Sequence, residues 1–133
     1  MRNEVVEPLR IEPRKDTPLV EFDPGTALFR IQGRSHPEDP TKFWLPLLRW
    51  TERYIVKARG DLTAEIDLNY FNTSSCKCLL DFLSILEGYH GNESRVLIKW
   101  LYKEDDEETL EAGEDLAEDV DVEFEFIIKD AAR

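Results

Sequence analysis

The chain has 133 residues, of which 41% are hydrophobic, 11% aromatic and 35% charged; that length leaves room for one core rather than two, and that apolar content excludes a disordered chain. Its formal net charge of −12 is unevenly placed, because residues 1–60 carry 11 basic and 9 acidic side chains whereas residues 61–133 carry 6 and 20. A surface this acidic argues against DNA or RNA as a partner, since affinity for phosphate backbones comes largely from Lys and Arg displacing counterions.

No apolar run approaches the roughly 18 residues that cross a bilayer, and Met1-Arg2-Asn3-Glu4 leads into no signal-peptide core. A cytoplasmic setting without direct membrane insertion is the expectation. Cys76 and Cys78 are one residue apart; on a helix they point about 200° from each other, which is poor disulfide geometry. A Cys-x-Cys pair also lacks the four ligands of a structural zinc site, so neither metal nor cofactor is expected. HExxH, a glycine-rich phosphate loop and a calcium-loop pattern are all missing from the sequence, and an enzyme is not expected.

In chain order, the charged opening Met1–Pro18, punctuated by Pro8, Pro13 and Pro18, predicts an extended arm or a short edge strand. Leu19–Asp23 and Ala27–Gln32 predict two strands joined by the turn Asp23-Pro24-Gly25-Thr26, and 33–40 predicts a polar loop. Asp39 and Pro40 are an N-cap and a first-turn residue for a helix in which Phe43, Leu47, Trp50 and Tyr54 recur at helical spacing until Gly60 stops it. Pro46 is awkward inside that helix and suggests a later start or a kink. Trp44, Trp50 and Trp100 read mainly as core, but Trp44 lies off the main apolar face, which also makes it a candidate exposed anchor for a partner.

Residues 63–70 alternate apolar and polar with the period of a half-buried strand, and Leu79, Phe82, Leu83 and Leu86 predict a helix over 75–89. Gly91-Asn92 predicts a turn, and Arg95–Tyr102 a strand. Glu104–Asp121 carries eleven carboxylates and no base, with a thin stripe of Leu110, Ala112, Leu116 and Ala117, and predicts a marginal acidic helix that needs docking to hold it. Val122–Ile128 closes the chain as a strand. The order β-β-α-β-α-β-α-β predicts a single α/β domain over 1–133, with a five-stranded mixed, largely parallel sheet and three helices.

The most informative stretch is Tyr70-Phe71-Asn72-Thr73-Ser74-Ser75, where three adjacent hydroxyls stand at a strand end and a helix start. By residue type alone they read as a helix cap, with Ser74 or Ser75 as the capping residue. A phosphate there would meet free N–H groups and the positive end of the helix dipole. Arg34 and Ser35 lie in the loop after the second strand, where either partner contact or a structural ion pair for Arg34 suits them.

Several motifs in order, Thr17-Pro18, Phe22-Asp23, Gly33-Arg34-Ser35 with Pro37-Glu38, Phe43-Trp44 with Pro46-Leu47, Tyr70–Ser75, and Trp100 and Tyr102 before Asp105-Asp106, make the sequence similar to the SiaC family of bacterial regulatory phosphoproteins. His36, where an aromatic residue is common in that family, and Cys76-Lys77-Cys78 depart from the pattern. The resemblance implies a STAS-like fold, akin to SpoIIAA-like anti-sigma-factor antagonists, in which a Ser/Thr kinase modifies a junction hydroxyl and a phosphatase restores it. It implies Thr73 as the acceptor, with Asn72, Ser74, Ser75, Arg34, Ser35 and Trp44 around the partner-binding surface. It further implies that the unmodified form binds and promotes a diguanylate cyclase, in control of cyclic-di-GMP and biofilm formation. Two rival readings stand beside it: a constitutive adaptor of the same fold, and a small-anion binder or enzyme at the same junction.

Overall fold

The computed structural model describes residues 6–91 and 93–129. The first five residues of the arm, Asn92 of the expected turn and the last four residues lie outside it. The elements are β1 (Leu9–Ile11), β2 (Leu19–Asp23), β3 (Leu28–Ser35), α1 (Pro40–Lys57), β4 (Leu62–Phe71), α2 (Thr73–Tyr89), β5 (Val96–Tyr102), α3 (Glu107–Asp119) and β6 (Glu123–Ile128). They form one sheet of six strands in the order β1-β2-β3-β4-β5-β6. Five strands were expected. The sixth is the three-residue β1, too short to show an alternation, which pairs antiparallel with β2 through Leu9↔Phe22 and Ile11↔Val20.

The β1-β2-β3 pairs are antiparallel, and β3-β4-β5-β6 are all parallel, each joined to the next by one helix. The three helices lie against a single face. Trp50 of α1 and Phe82 of α2 both pack on Phe22, the first tilted and the second stacked, at 5.4 and 5.6 Å between ring centroids. The α3 backbone is bonded from the same face by Trp100, whose Nε1 donates to the Thr109 carbonyl at 2.9 Å. Phe29, Ile31, Leu62, Ala64, Ile66, Val96 and Ile98 complete the covered face, all nearly inaccessible to solvent. Burying such side chains contributes about 1.5–3 kcal/mol each.

Among the described residues no helix covers the opposite face, which carries a charge ladder running from edge to edge. Cross-strand neighbours are Arg10↔Glu21, Glu21↔Arg30, Arg30↔Glu65, Glu65↔Lys99 and Lys99↔Glu125, so every step sets an acid against a base. Arg10 pairs with Glu21, and Arg30 reaches Glu21 at 3.6 Å and Glu65 at 3.4 Å. Opposite charges across strands favour this register by a few tenths of a kcal/mol per pair, and their solvation keeps the uncovered face wet.

Helix α1 begins where Asp39 accepts from the Lys42 amide at 3.1 Å, with Pro40 in the first turn. Pro46 sits inside it without delaying its start, and it ends at Lys57, before Gly60. Trp44 is a clear correction: it has 0% exposure and packs inward, so it offers nothing to a partner. Helix α3 is shorter than the acidic run. Asp106 caps it through the Thr109 amide and hydroxyl, and Glu107 and Glu108 lie in its first turn, where the dipole favours them. Its inner stripe is Thr109, Gly113 and Leu116, with Gly113 laid on the Trp100 indole.

Candidate functional site

The hydroxyl-rich junction is made by two adjacent strand ends. Strand β3 runs three residues farther than expected because Gly33, at φ +128°, adopts a backbone that other residues rarely take. Between Gly33 and Arg34 the register with β4 shifts: Gly33 faces Leu68, but Arg34 faces Tyr70, which leaves Asn69 as an extra residue. A continued alternation would carry Tyr70 inward. The bulge instead turns Phe71 toward the core, 6.1 Å edge-to-face from Trp100, and leaves Tyr70 43% exposed.

Arg34 lies over the Tyr70 ring at 5.0 Å, and His36 meets the same ring edge-on at 5.6 Å. Arg34 is exposed and makes no ion pair among the described residues, so its packing partner is an aromatic ring rather than an acid. His36 has a second neighbour in the cap of α2. The Asn72 side-chain amide nitrogen lies 3.0 Å from its Nδ1, within hydrogen-bond reach.

The cap of α2 is Asn72, not Ser74 or Ser75. Its side-chain oxygen accepts from the Ser75 amide at 2.8 Å, and its backbone carbonyl takes the Cys76 amide at 3.0 Å. Asn72 is itself tied to β3 through its own N–H, which donates to the Ser35 carbonyl at 3.2 Å. Replacing Asn72 with Ala is expected to lower stability by about 1 kcal/mol, read as a shift in the urea midpoint at constant slope.

Ser75 and Ser35 are interior residues, with 1% and 0% exposure. The Ser35 hydroxyl donates to Ser75 Oγ at 2.7 Å, Ser75 Oγ donates to the Ser35 carbonyl at 3.0 Å, and Trp44 Nε1 donates to Ser35 Oγ at 3.3 Å. The set ties β3, α1 and α2 together behind the junction, and no buried side-chain polar atom among the described residues lacks a partner. Ser35, Ser75 and Trp44, expected at the partner surface, therefore support it from beneath. Thr73 and Ser74, the first two residues of α2, are both exposed. Of the three adjacent hydroxyls the fold hides one and presents two, and it presents them in the first turn, whose N–H groups have no intrahelical acceptor.

Behind them, Cys76 and Cys78 are half-buried free thiols. Burial pushes both upward, helped by Asp115 at Cys76 and by Asp81 at Cys78, where Lys77 partly offsets it. Thiolate is the nucleophile. Iodoacetamide should thus modify both slowly at neutral pH, with a rate still climbing above pH 9, and mass spectrometry against time at several pH values measures it. A rate that levels off below pH 8 would contradict the burial effect. Among the described residues no group of three or more His, Cys, Asp or Glu is placed to hold a metal ion, and no helix is long and apolar enough to cross a membrane.

The family model for SiaC family regulatory phosphoproteins matches residues 11–129. The chain belongs to this family. It is similar to apo-SiaC from Pseudomonas aeruginosa, with 30% identity and a TM-score of 0.82 over 91% of this chain and 98% of that one. It is equally similar, at 30% identity and a TM-score of 0.84 over 91% and 99% of the two chains, to the structure of the diguanylate cyclase SiaD in complex with its activator SiaC from the same organism. An uncharacterized protein of P. aeruginosa strain UCBPP-PA14 is 30% identical over 116 residues, 87% of this chain and 92% of that protein. The SiaC fold therefore spans the six-stranded sheet, its three helices and the Asn72–Ser75 junction.

Proposed function

We infer that this member of the SiaC family is a non-catalytic, cytoplasmic partner switch in a single STAS-like domain. Its unmodified form binds and activates a diguanylate cyclase, as the P. aeruginosa activator SiaC does in its complex with SiaD. A Ser/Thr kinase adds a phosphate to Thr73, a phosphatase removes it, and the phosphate breaks the complex. The strand-helix order after β1 supports the STAS-like comparison, with the junction at the carboxyl ends of the parallel strands, where open α/β sheets commonly place their sites.

The observation that carries the reading is the exposure of Thr73 in the first turn of α2, beside a Ser75 that is locked away. A phosphate adds about −1.5 to −2 charges, and at a helix N-terminus the dipole favours it by about 0.3–1 kcal/mol, so modification leaves the fold intact. The switch acts at contact instead. At physiological salt the Debye length is about 8 Å, so distant carboxylates are screened while a dianion inside an interface is not. Tyr70, Arg34 and Asn72, at the strand ends that lead into α2, would form the surface on which it is felt.

The test is intact-mass analysis after incubation with the cognate kinase and ATP, with the modified residue located by fragmentation, followed by pull-down of the cognate diguanylate cyclase. One phosphate on Thr73 and loss of cyclase binding are the expected results. Cyclase binding without any modification would make the chain a constitutive adaptor. A phosphate confined to Ser74 would move the acceptor by one residue.

A further inference from the structure

Three cations of the N-terminal half come together on α1. Lys42, Arg49 and Arg53 line one groove of about 480 Å³ between the outer side of α1 and the edge strand β1. None of the three makes an ion pair among the described residues, although the chain carries 29 acidic side chains and pairs other arginines on its open sheet face. The rest of the groove is apolar, made by Leu9, Pro46, Trp50 and Leu45, the last 37% exposed. Trp50 is fixed there, because its Nε1 donates to the Glu7 carbonyl at 2.7 Å and ties the arm to the helix.

We propose that this groove is a second docking surface, separate from Thr73, for an acidic segment of a partner protein that inserts an apolar side chain between carboxylates. Three unpaired cations around an apolar cleft complement that chemistry, with carboxylates meeting Lys42, Arg49 and Arg53 while an apolar anchor meets Leu9, Pro46 and Trp50. A bilayer fits it poorly, since the site is a groove whose apolar floor a flat lipid surface does not reach. The surface depends on reading the chain as a protein-binding module, and not on any modification of Thr73.

The test uses the full chain and a fluorescein-labelled synthetic peptide of residues 104–121, whose eleven carboxylates and Leu110 and Leu116 supply the required chemistry. Fluorescence anisotropy should show saturable binding that weakens as salt rises. The Arg49→Glu/Arg53→Glu variant should bind about tenfold or more weakly, Leu45→Ser should lose affinity without losing the salt dependence, and Arg59→Glu, outside the groove, should match wild type. All the altered side chains are solvent-facing, and circular dichroism checks that each variant is folded. No binding at low salt, or equal binding by the double variant, overturns the proposal. So does sedimentation of the wild-type chain with phosphatidylserine vesicles, or its self-association, if the double variant abolishes either one while peptide binding persists. Because the readout involves neither kinase nor cyclase, it fails independently of the Thr73 switch.

Discussion

Thr73→Asp is expected to bind the cognate diguanylate cyclase at least a hundredfold more weakly than wild type, while Thr73→Ala binds normally and takes up no phosphate. A carboxylate trapped in a protein interface without a partner costs several kcal/mol, and a hundredfold loss corresponds to about 3 kcal/mol. The phosphorylated protein should lose at least as much, because its charge is larger. Misfolding is separated from this effect by its sign. Residue 73 is exposed in the first turn of α2, a turn that holds no acidic side chain, so Asp there interacts favourably with the helix dipole. Loss of binding together with an unchanged or slightly raised melting temperature is the expected pair of results. Isothermal titration of the three variants against the cyclase, with thermal melts alongside, measures both. Equal affinity of phosphorylated and unmodified protein would sink the switch.

Gly113→Ala is expected to destabilise the protein by about 2 kcal/mol, against the usual trend for a helix interior, where Ala is favoured over Gly by about 1 kcal/mol. A β-carbon at position 113 falls 2.5 Å from Trp100 Nε1, 2.6 Å from Cε2 and 2.7 Å from Cδ1. The indole cannot swing aside cheaply. It is 1% exposed and its Nε1 is bonded to the Thr109 carbonyl one turn earlier on the same helix. Pushing α3 outward breaks that bond and loosens a helix with no base in its last turn. Urea unfolding followed by tryptophan fluorescence should show the lower midpoint, and Trp100→Phe in the Gly113→Ala background should cost less than it does alone. A variant as stable as wild type would show that the helix rides higher than described.

Much of the fold was legible because its signals are local. Alternation marked β2, β4 and β6, the spacing of Leu79, Phe82, Leu83 and Leu86 marked α2, and the Asp39-Pro40 pair located the start of α1. The junction was legible as a place but not as a geometry. Which of four adjacent small polar residues caps a helix depends on backbone angles, and Asn72, at φ −90° and ψ 176°, takes that role. The bulge at Asn69 is set by pairing with Gly33 and Arg34 on a distant strand, so nothing local announces that Tyr70 turns outward and Phe71 inward. Ser35 and Ser75 have the composition of surface residues, and their burial follows from finding each other across the β3–α2 contact. Trp44 misled for a related reason. The buried stripe of α1 is Trp44, Leu47, Trp50, Thr51 and Tyr54, so Trp44 lies on it, bonded to Ser35, and Phe43 is left at its margin.

The ladder on the uncovered sheet face holds three bases, Arg10, Arg30 and Lys99, and three acids, Glu21, Glu65 and Glu125. Its sum is zero, and beyond a few ångströms the alternating signs cancel. This broad flank is therefore nearly silent at long range despite its density of ions. What an approaching macromolecule senses first is the imbalance between the carboxylate-rich α3 pole and the cation-lined α1 pole, which lie toward opposite ends of the strand order. The molecule behaves as an electric dipole with a neutral side, so encounters are biased in orientation before any surface touches.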